Sequence, residues 1–217
     1  GSLFLAPDYW GGGHGRVLSL TRFLFMAEFP DRFEREVIAE MRGVVQPDGK
    51  SAFWSAIGSH FFQIDFPRAE TLTSQSKKFI ADLMPKHPIY IPLLSKEAQD
   101  VIGRVHRNTE PAKALLEKEG FEFRNFVDIF DGGPTLHCER TQIRAVRDSR
   151  NDVVANVVDD LPLADDWVIA NAGLDFRCCL GSVEWTETGA VLDKATATGL
   201  SLKQGDRLRT VELRPAN

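Results

Sequence analysis

Apolar positions along the chain fall into short blocks whose period changes several times. Leu3, Phe4 and Leu5 read as a short apolar strand that Pro7-Asp8 stops. A glycine-rich turn follows. From Arg16 to about Phe29 the residues Val17, Leu18, Leu20, Phe23, Leu24, Phe25 and Met26 leave almost no polar side, the pattern of a helix buried on most sides. Glu36 to Val45 reads as a strand ending in the turn Gln46-Pro47-Asp48-Gly49. Ser51 caps a helix predicted to reach Phe62, with Phe53, Trp54, Ile57, Phe61 and Phe62 on its apolar face. His60 among these aromatics reads as a packed, hydrogen-bonded side chain. Asp65 to Ser76 is polar and reads as loop, and Lys77 to Met84 as a short helix broken by Pro85-Lys86-His87-Pro88. Ile89 to Leu94 reads as a strand that Pro92 confines to an edge or a bulge.

Ser95 to Gly103 is predicted helical, with Ser95 as N-cap. Thr109 caps a second helix that carries Pro111 in its first turn and stops at Gly120. Phe121 to Phe130 alternates as a strand and turns at Asp131-Gly132-Gly133-Pro134. From Asn151 the texture changes to short β-rich pieces, VVANVV, WVIANA, DFRCCLGSVEW, AVLDKA and RLRTVEL, separated by Gly, Asp and Thr turns. These predict a small antiparallel barrel or sheet. The expected organisation is a first domain over 1–150 and a small β-rich domain over 151–217.

Composition narrows the function classes. At 217 residues and 43% hydrophobic the chain is large enough for one full core and a smaller one. A net charge of −5 supplies no basic footprint for nucleic acid and no attraction to an anionic membrane surface. No apolar run approaches the length of a membrane span and no signal-peptide pattern opens the chain, so the expected location is cytoplasmic. Cys138, Cys178 and Cys179 show neither a CxxC spacing nor an even disulfide set, and read as reduced structural thiols.

The candidate chemistry begins at the turn. Gly11, Gly12, Gly13 and Gly15 leave backbone N–H groups uncovered ahead of a helix start, a place suited to phosphates. Arg16 occupies the position of the third glycine of a dinucleotide fingerprint, and there is no Gly-Lys-Ser/Thr, so both of those phosphate motifs fail. Of five histidines, His14 lies in the turn and suits phosphate or solvent, and His137 follows the last strand in an exposed-looking setting. His87, between two breakers, and His106, on a loop between helices, both suit a proton-transferring role, and local pattern does not choose between them. Glu40, Asp128 and Asp131 at strand ends could pair with a cation, or simply face solvent.

Gly13-His14-Gly15-Arg16 between strand and helix resembles the pyrophosphate-binding turn of acyl-CoA N-acyltransferases, Arg/Gln-x-x-Gly-x-Gly/Ala, with Trp10 where Arg or Gln is expected. LFLAPD, SLTRFLFMAEFP, VIAEMRGV, FWSAIGSHFF, DFPRAE, FIADLMPKHPIYIPLL, VIGRVH, PAKALLEKEGFEFRNFVDIFDGGPTL and IRAVRDSR are similar, in this order, to the arginine N-succinyltransferase family. The resemblance is dense from Leu3 to about Arg150 and general beyond.

It implies an α+β fold, an acyl-CoA N-acyltransferase-like mixed sheet with flanking helices, plus a small C-terminal β domain. It also implies transfer of succinyl from succinyl-CoA, a co-substrate and not a bound cofactor, to the α-amine of L-arginine, or of ornithine. By the same resemblance Leu3 touches CoA through its backbone, Gly13, Gly15 and Arg16 take the pyrophosphate, and VIGRVH assigns the proton donor to His106. In that fold the Leu3 strand is the fourth, so the resemblance predicts a missing N-terminal half, supplied by a partner chain or a sister copy that covers the open strand edge. The alternative expectation is a non-catalytic assembly or regulatory subunit of a hetero-oligomer, which Trp10 favours.

Overall fold

The computed structural model describes residues 3–75, 78–83, 85–162, 164 and 166–214. In chain order the elements are α1 (His14–Glu28), β1 (Glu36–Glu40), α2 (Ala52–Ala56), α3 (Gly58–Phe62), α4 (Phe66–Gln75), α5 (Lys78–Leu83), α6 (Lys96–Val101), α7 (Glu110–Lys118), β2 (Glu122–Val127), β3 (Pro134–Glu139), α8 (Arg144–Arg147), β4 (Arg150–Val158), β5 (Trp167–Asn171), β6 (Cys178–Gly181), β7 (Glu184–Thr186), β8 (Gly189–Asp193), α9 (Lys194–Leu200) and β9 (Arg207–Glu212). The fold is α+β, as the resemblance implies. Two compact units form, Gly1–Arg35 with Glu139–Asn217 and Glu36–Cys138. They do not divide at residue 150, because the first 35 residues pack with the C-terminal strands.

In the unit that holds both chain ends, six strands run in the order β6-β5-β9-β4-β8-β7. Neighbours are antiparallel except β4 and β8, which are parallel, so the sheet is mixed where an antiparallel one is expected. The chain passes through β5, β6 and β7 between this parallel pair, and α9, whose N-cap Asp193 accepts the Thr196 N–H at 2.8 Å, then carries it from β8 past β4 to the antiparallel β9. Val154, Ile169, Ala190, Leu192, Leu200 and Leu208 make the core beneath it. Leu20, Phe23 and Leu24 of α1 are buried, and the helix lies against β5, β6 and β9. Only one face of α1 is fully buried, since Val17, Leu18, Phe25 and Met26 remain half-buried. Leu3 to Leu5 is not a strand. Leu3 is 44% and Phe4 78% exposed, and the Leu5 carbonyl accepts the indole N–H of Trp10 at 3.0 Å in place of a ladder bond.

The other unit carries a three-stranded sheet, β1-β3-β2, with β2 and β3 antiparallel. Left-handed Asn125 (φ 63°) lies where their register shifts, and the strand ends at Val127, short of the predicted Phe130. Trp54 stacks on Phe62 at 5.2 Å and on Phe130 at 5.3 Å, with Phe66 and Ala69 closing that core. Ser51 caps α2 as predicted, accepting the Trp54 N–H at 3.1 Å. The single helix expected to Phe62 is broken at Ile57. Gly58 lies so close to the Trp54 indole that a Cβ there would enter the ring. His60 is exposed on α3, not packed among the aromatics.

The expected loop from Asp65 contains α4, whose first turn is closed by the Arg68 N–H donating to Asp65 Oδ1 at 3.0 Å. Ser76, Lys77 and Met84 lie outside the described residues. The expected strand from Ile89 is a 3-10 turn, Ile91–Leu93, set by Pro92, with Tyr90 75% and Leu93 80% exposed.

Candidate active site

The glycine turn opens α1. Gly11, Gly12 and Gly13 all adopt positive φ (98°, 56° and 84°), which places three consecutive residues in the region that favours glycine and lets α1 begin abruptly at His14. Gly13, Gly15 and Arg16 are thereby brought together on one turn at the start of a fifteen-residue helix. The Arg16 and Val17 N–H groups donate to the Gly13 carbonyl at 2.9 and 3.1 Å. His14 Nδ1 lies 3.0 Å from the Tyr9 carbonyl; since a carbonyl only accepts, Nδ1–H donates and ties the ring back across the turn. Leu3 stands ahead of this turn as irregular, exposed chain.

His106 belongs to the other unit, where its own backbone and its ring are both fixed. Gly43 pairs with Val105 in an antiparallel bridge, and the His106 N–H donates to the Arg42 carbonyl at 2.8 Å. The half-buried ring caps the 3-10 turn Arg107–Thr109, with Nδ1 accepting the Asn108 N–H at 3.2 Å. A backbone amide only donates, so in the neutral ring Nδ1 is the acceptor and the proton resides on Nε2. His87 is exposed between its two prolines. His137 is not exposed: it is buried on β3, with Nδ1 3.4 Å from Glu36 and Phe126 against its face at 5.1 Å.

The carboxylates divide by environment. Glu40 is exposed at the end of β1. Asp131 is buried and spent on the backbone, accepting the Gly43 N–H at 2.7 Å and the Gly133 N–H at 2.8 Å, which removes it as a solvent-facing strand-end charge. Burial pushes the Asp128 carboxyl above the usual range, and the nearby Asp131 and Glu40 charges add to this against the Phe130 and Asp131 amides that lower it. Among the described residues of this unit, clefts open on its surface. One of about 450 Å³ is lined by Gln46, Lys50, Ser55, His60 and Leu94, among others. Another, of about 390 Å³, is lined by Gly103 to Val105 immediately before His106 and by Glu110, Lys113 and Glu117 of α7. Among the described residues no group of three or more His, Cys, Asp and Glu is placed to hold a metal ion, and no helix is long and apolar enough to cross a membrane.

Fold and site together define an α+β protein with a glycine turn opening its longest described helix and a loop histidine held in one tautomer. Comparison with known proteins supplies the family. A model described as arginine N-succinyltransferase beta subunit matches residues 1–145, and one for the C-terminal domain of that subunit matches 152–212. The chain belongs to the arginine N-succinyltransferase family.

Arginine N-succinyltransferases of Escherichia coli O139:H28 (strain E24377A / ETEC) and Shigella flexneri serotype 5b (strain 8401) are each 48% identical over 217 residues, which covers 98% of this chain and 62% of the relative. The solved structure of arginine/ornithine succinyltransferase subunit AI from Pseudomonas aeruginosa is similar with a TM-score of 0.82 and 31% identity, over 98% of this chain and 61% of that one. The chain therefore spans less than two thirds of the length of these relatives.

Proposed function

We propose that the chain carries the acyl-transfer chemistry of an arginine N-succinyltransferase, moving succinyl from succinyl-CoA to the α-amine of L-arginine, with ornithine as a second acceptor. The observation that carries the reading is the His106 ring, whose Nδ1 is occupied by the Asn108 N–H and whose Nε2–H is left for the reaction. The neutral amine attacks the thioester carbonyl, and the tetrahedral intermediate collapses with loss of the CoA thiolate. The Nε2–H of His106 donates a hydrogen bond to the departing sulfur, and the thiolate takes up the proton shed by the amine as it becomes an amide, so the ring stays neutral throughout. One well-placed donor of this kind is worth about 10²-fold or more.

The turn at Gly13, Gly15 and Arg16 would hold the CoA pyrophosphate at the helix start, with the Leu3 backbone along the pantetheine. The 390 Å³ cleft lined by Gly103 to Val105 offers the Glu110 carboxylate to a guanidinium, Glu117 being paired with Lys113 at 2.6 Å. Cytoplasmic location completes the proposal.

A second reading, a non-catalytic assembly subunit, is favoured by Trp10, whose indole N–H is spent on the Leu5 carbonyl where the acyltransferase pattern expects Arg or Gln. Titration with succinyl-CoA and then acetyl-CoA, followed by turnover with L-arginine, separates the two. Selective micromolar binding of succinyl-CoA with turnover, cut about 10²-fold or more by His106→Ala at unchanged CoA affinity, supports the transferase. Full turnover by His106→Ala removes the role of His106, and absence of CoA binding by the folded chain supports the assembly reading.

A further inference from the structure

The segment that carries His106 is stitched at both ends to backbone that one carboxylate holds. Asp131 is 9% exposed, and each of its two oxygens accepts a different amide: Oδ2 that of Gly43, Oδ1 that of Gly133. Gly43 is the residue bridged to Val105, and its neighbour Arg42 accepts the His106 N–H at 2.8 Å. At the other end, the Gly103 N–H donates to the Gly132 carbonyl at 2.8 Å, between Asp131 and Gly133.

The fit allows no side chain on either glycine. A Cβ at Gly43 would lie 2.6 Å from the Asp131 carbonyl and carboxylate oxygens, and a Cβ at Gly133 would lie 2.6 Å from the Gly43 nitrogen. Burying a carboxylate is costly unless its oxygens are hydrogen-bonded, and here both are. Such a group earns its place by fixing the backbone around it.

We infer that Asp131 is a positioning residue for His106: it locks residues 42–43 and 132–133 together, and through them sets where the His106 ring stands. This rests on the transferase reading of His106. Asparagine at 131 keeps the shape but offers one acceptor instead of two and turns an NH₂ group toward one of the two amides.

The test is made on the full chain. In Asp131→Asn the ¹⁵N shifts of His106 should lose the signature of a single Nε2–H tautomer, and the Asn108 amide should exchange faster. Turnover number should fall about 10- to 10²-fold while KM for succinyl-CoA stays within about twofold, as expected when a reacting group is misplaced and binding is not. A wild-type ring spectrum and turnover number in Asp131→Asn would overturn the inference while leaving His106 catalytic. Full turnover by His106→Ala would instead remove the reading beneath it. Should Asp131→Asn not fold, amide exchange of the wild-type chain decides: Gly43, Gly133 and His106 should open together, with protection agreeing within about threefold, and exchange at His106 more than about tenfold faster than at Gly43 would overturn it.

Discussion

At the scale of single residues, environment outweighs identity. Cys178 and Cys179 sit side by side near the end of the long sheet, and burial is the main cause pushing their thiols up to about 11 and about 12. A thiolate is the reactive form, so at pH 8 both should alkylate about 10²-fold or more slowly than an ordinary thiol, and react freely only once the chain unfolds. Iodoacetamide labelling followed by peptide mass analysis measures this. The sign for stability follows from the same direction. The folded state keeps these protons to higher pH than the unfolded state, so the stability present below the ordinary thiol range should decline as pH rises from about 9 toward 11. His106 makes the complementary point. Its loop position is legible in the chain, but its fixed tautomer depends on one amide two residues away and on the bond to Arg42, which the local pattern does not reveal.

At the scale of elements, caps and breakers explain both the agreements and the departures. Ser51 is 1% exposed and works in two directions, accepting the Trp54 N–H and donating to the Phe130 carbonyl at 3.0 Å. Ser51→Ala should therefore cost about 1–3 kcal/mol, more than an exposed cap, read by chemical denaturation with Trp54 fluorescence. Helix α4 had a signal in Asp65-Phe66-Pro67, an N-cap acid followed by proline within the first turn, but the polar residues after it read as loop. Ile89 to Leu94 shows the opposite error. Its apolar run suggests a strand, yet Pro92 and the absence of a pairing partner leave a 3-10 turn with exposed side chains.

At the scale of the whole molecule, the unit holding both ends is tied together by a buried carboxylate. Glu28 closes α1 with a side chain only 5% exposed and accepts from Arg207 at 3.0 Å and from Arg209 at 2.9 Å, both on β9 and about 180 residues away. Arg209 also donates to Ser149 at 3.0 Å. Glu28→Ala leaves the largely buried Arg209 without its carboxylate and should cost about 3 kcal/mol. Amide exchange locates the effect: protection should fall in β4 and β9 while β3 of the other unit keeps its own, and an equal fall in both would show that the two units open as one.

The apolar spacing, the caps and the glycines of the chain determine by themselves that α1 follows a glycine turn, that Ser51 starts a helix, and that the C-terminal third is built of short strands. These are properties of local backbone and of neighbouring side chains, and a linear reading captures them. The family, too, is legible in ordered stretches from Leu3 to Arg150. Only the tertiary structure decided that α1 packs with the last strands, that β4 and β8 pair in parallel, and that Asp131 accepts the amide of the distant Gly43. Each of these depends on groups far apart in sequence competing for the same buried space or the same hydrogen bonds, and that competition is resolved only when the chain has closed on itself.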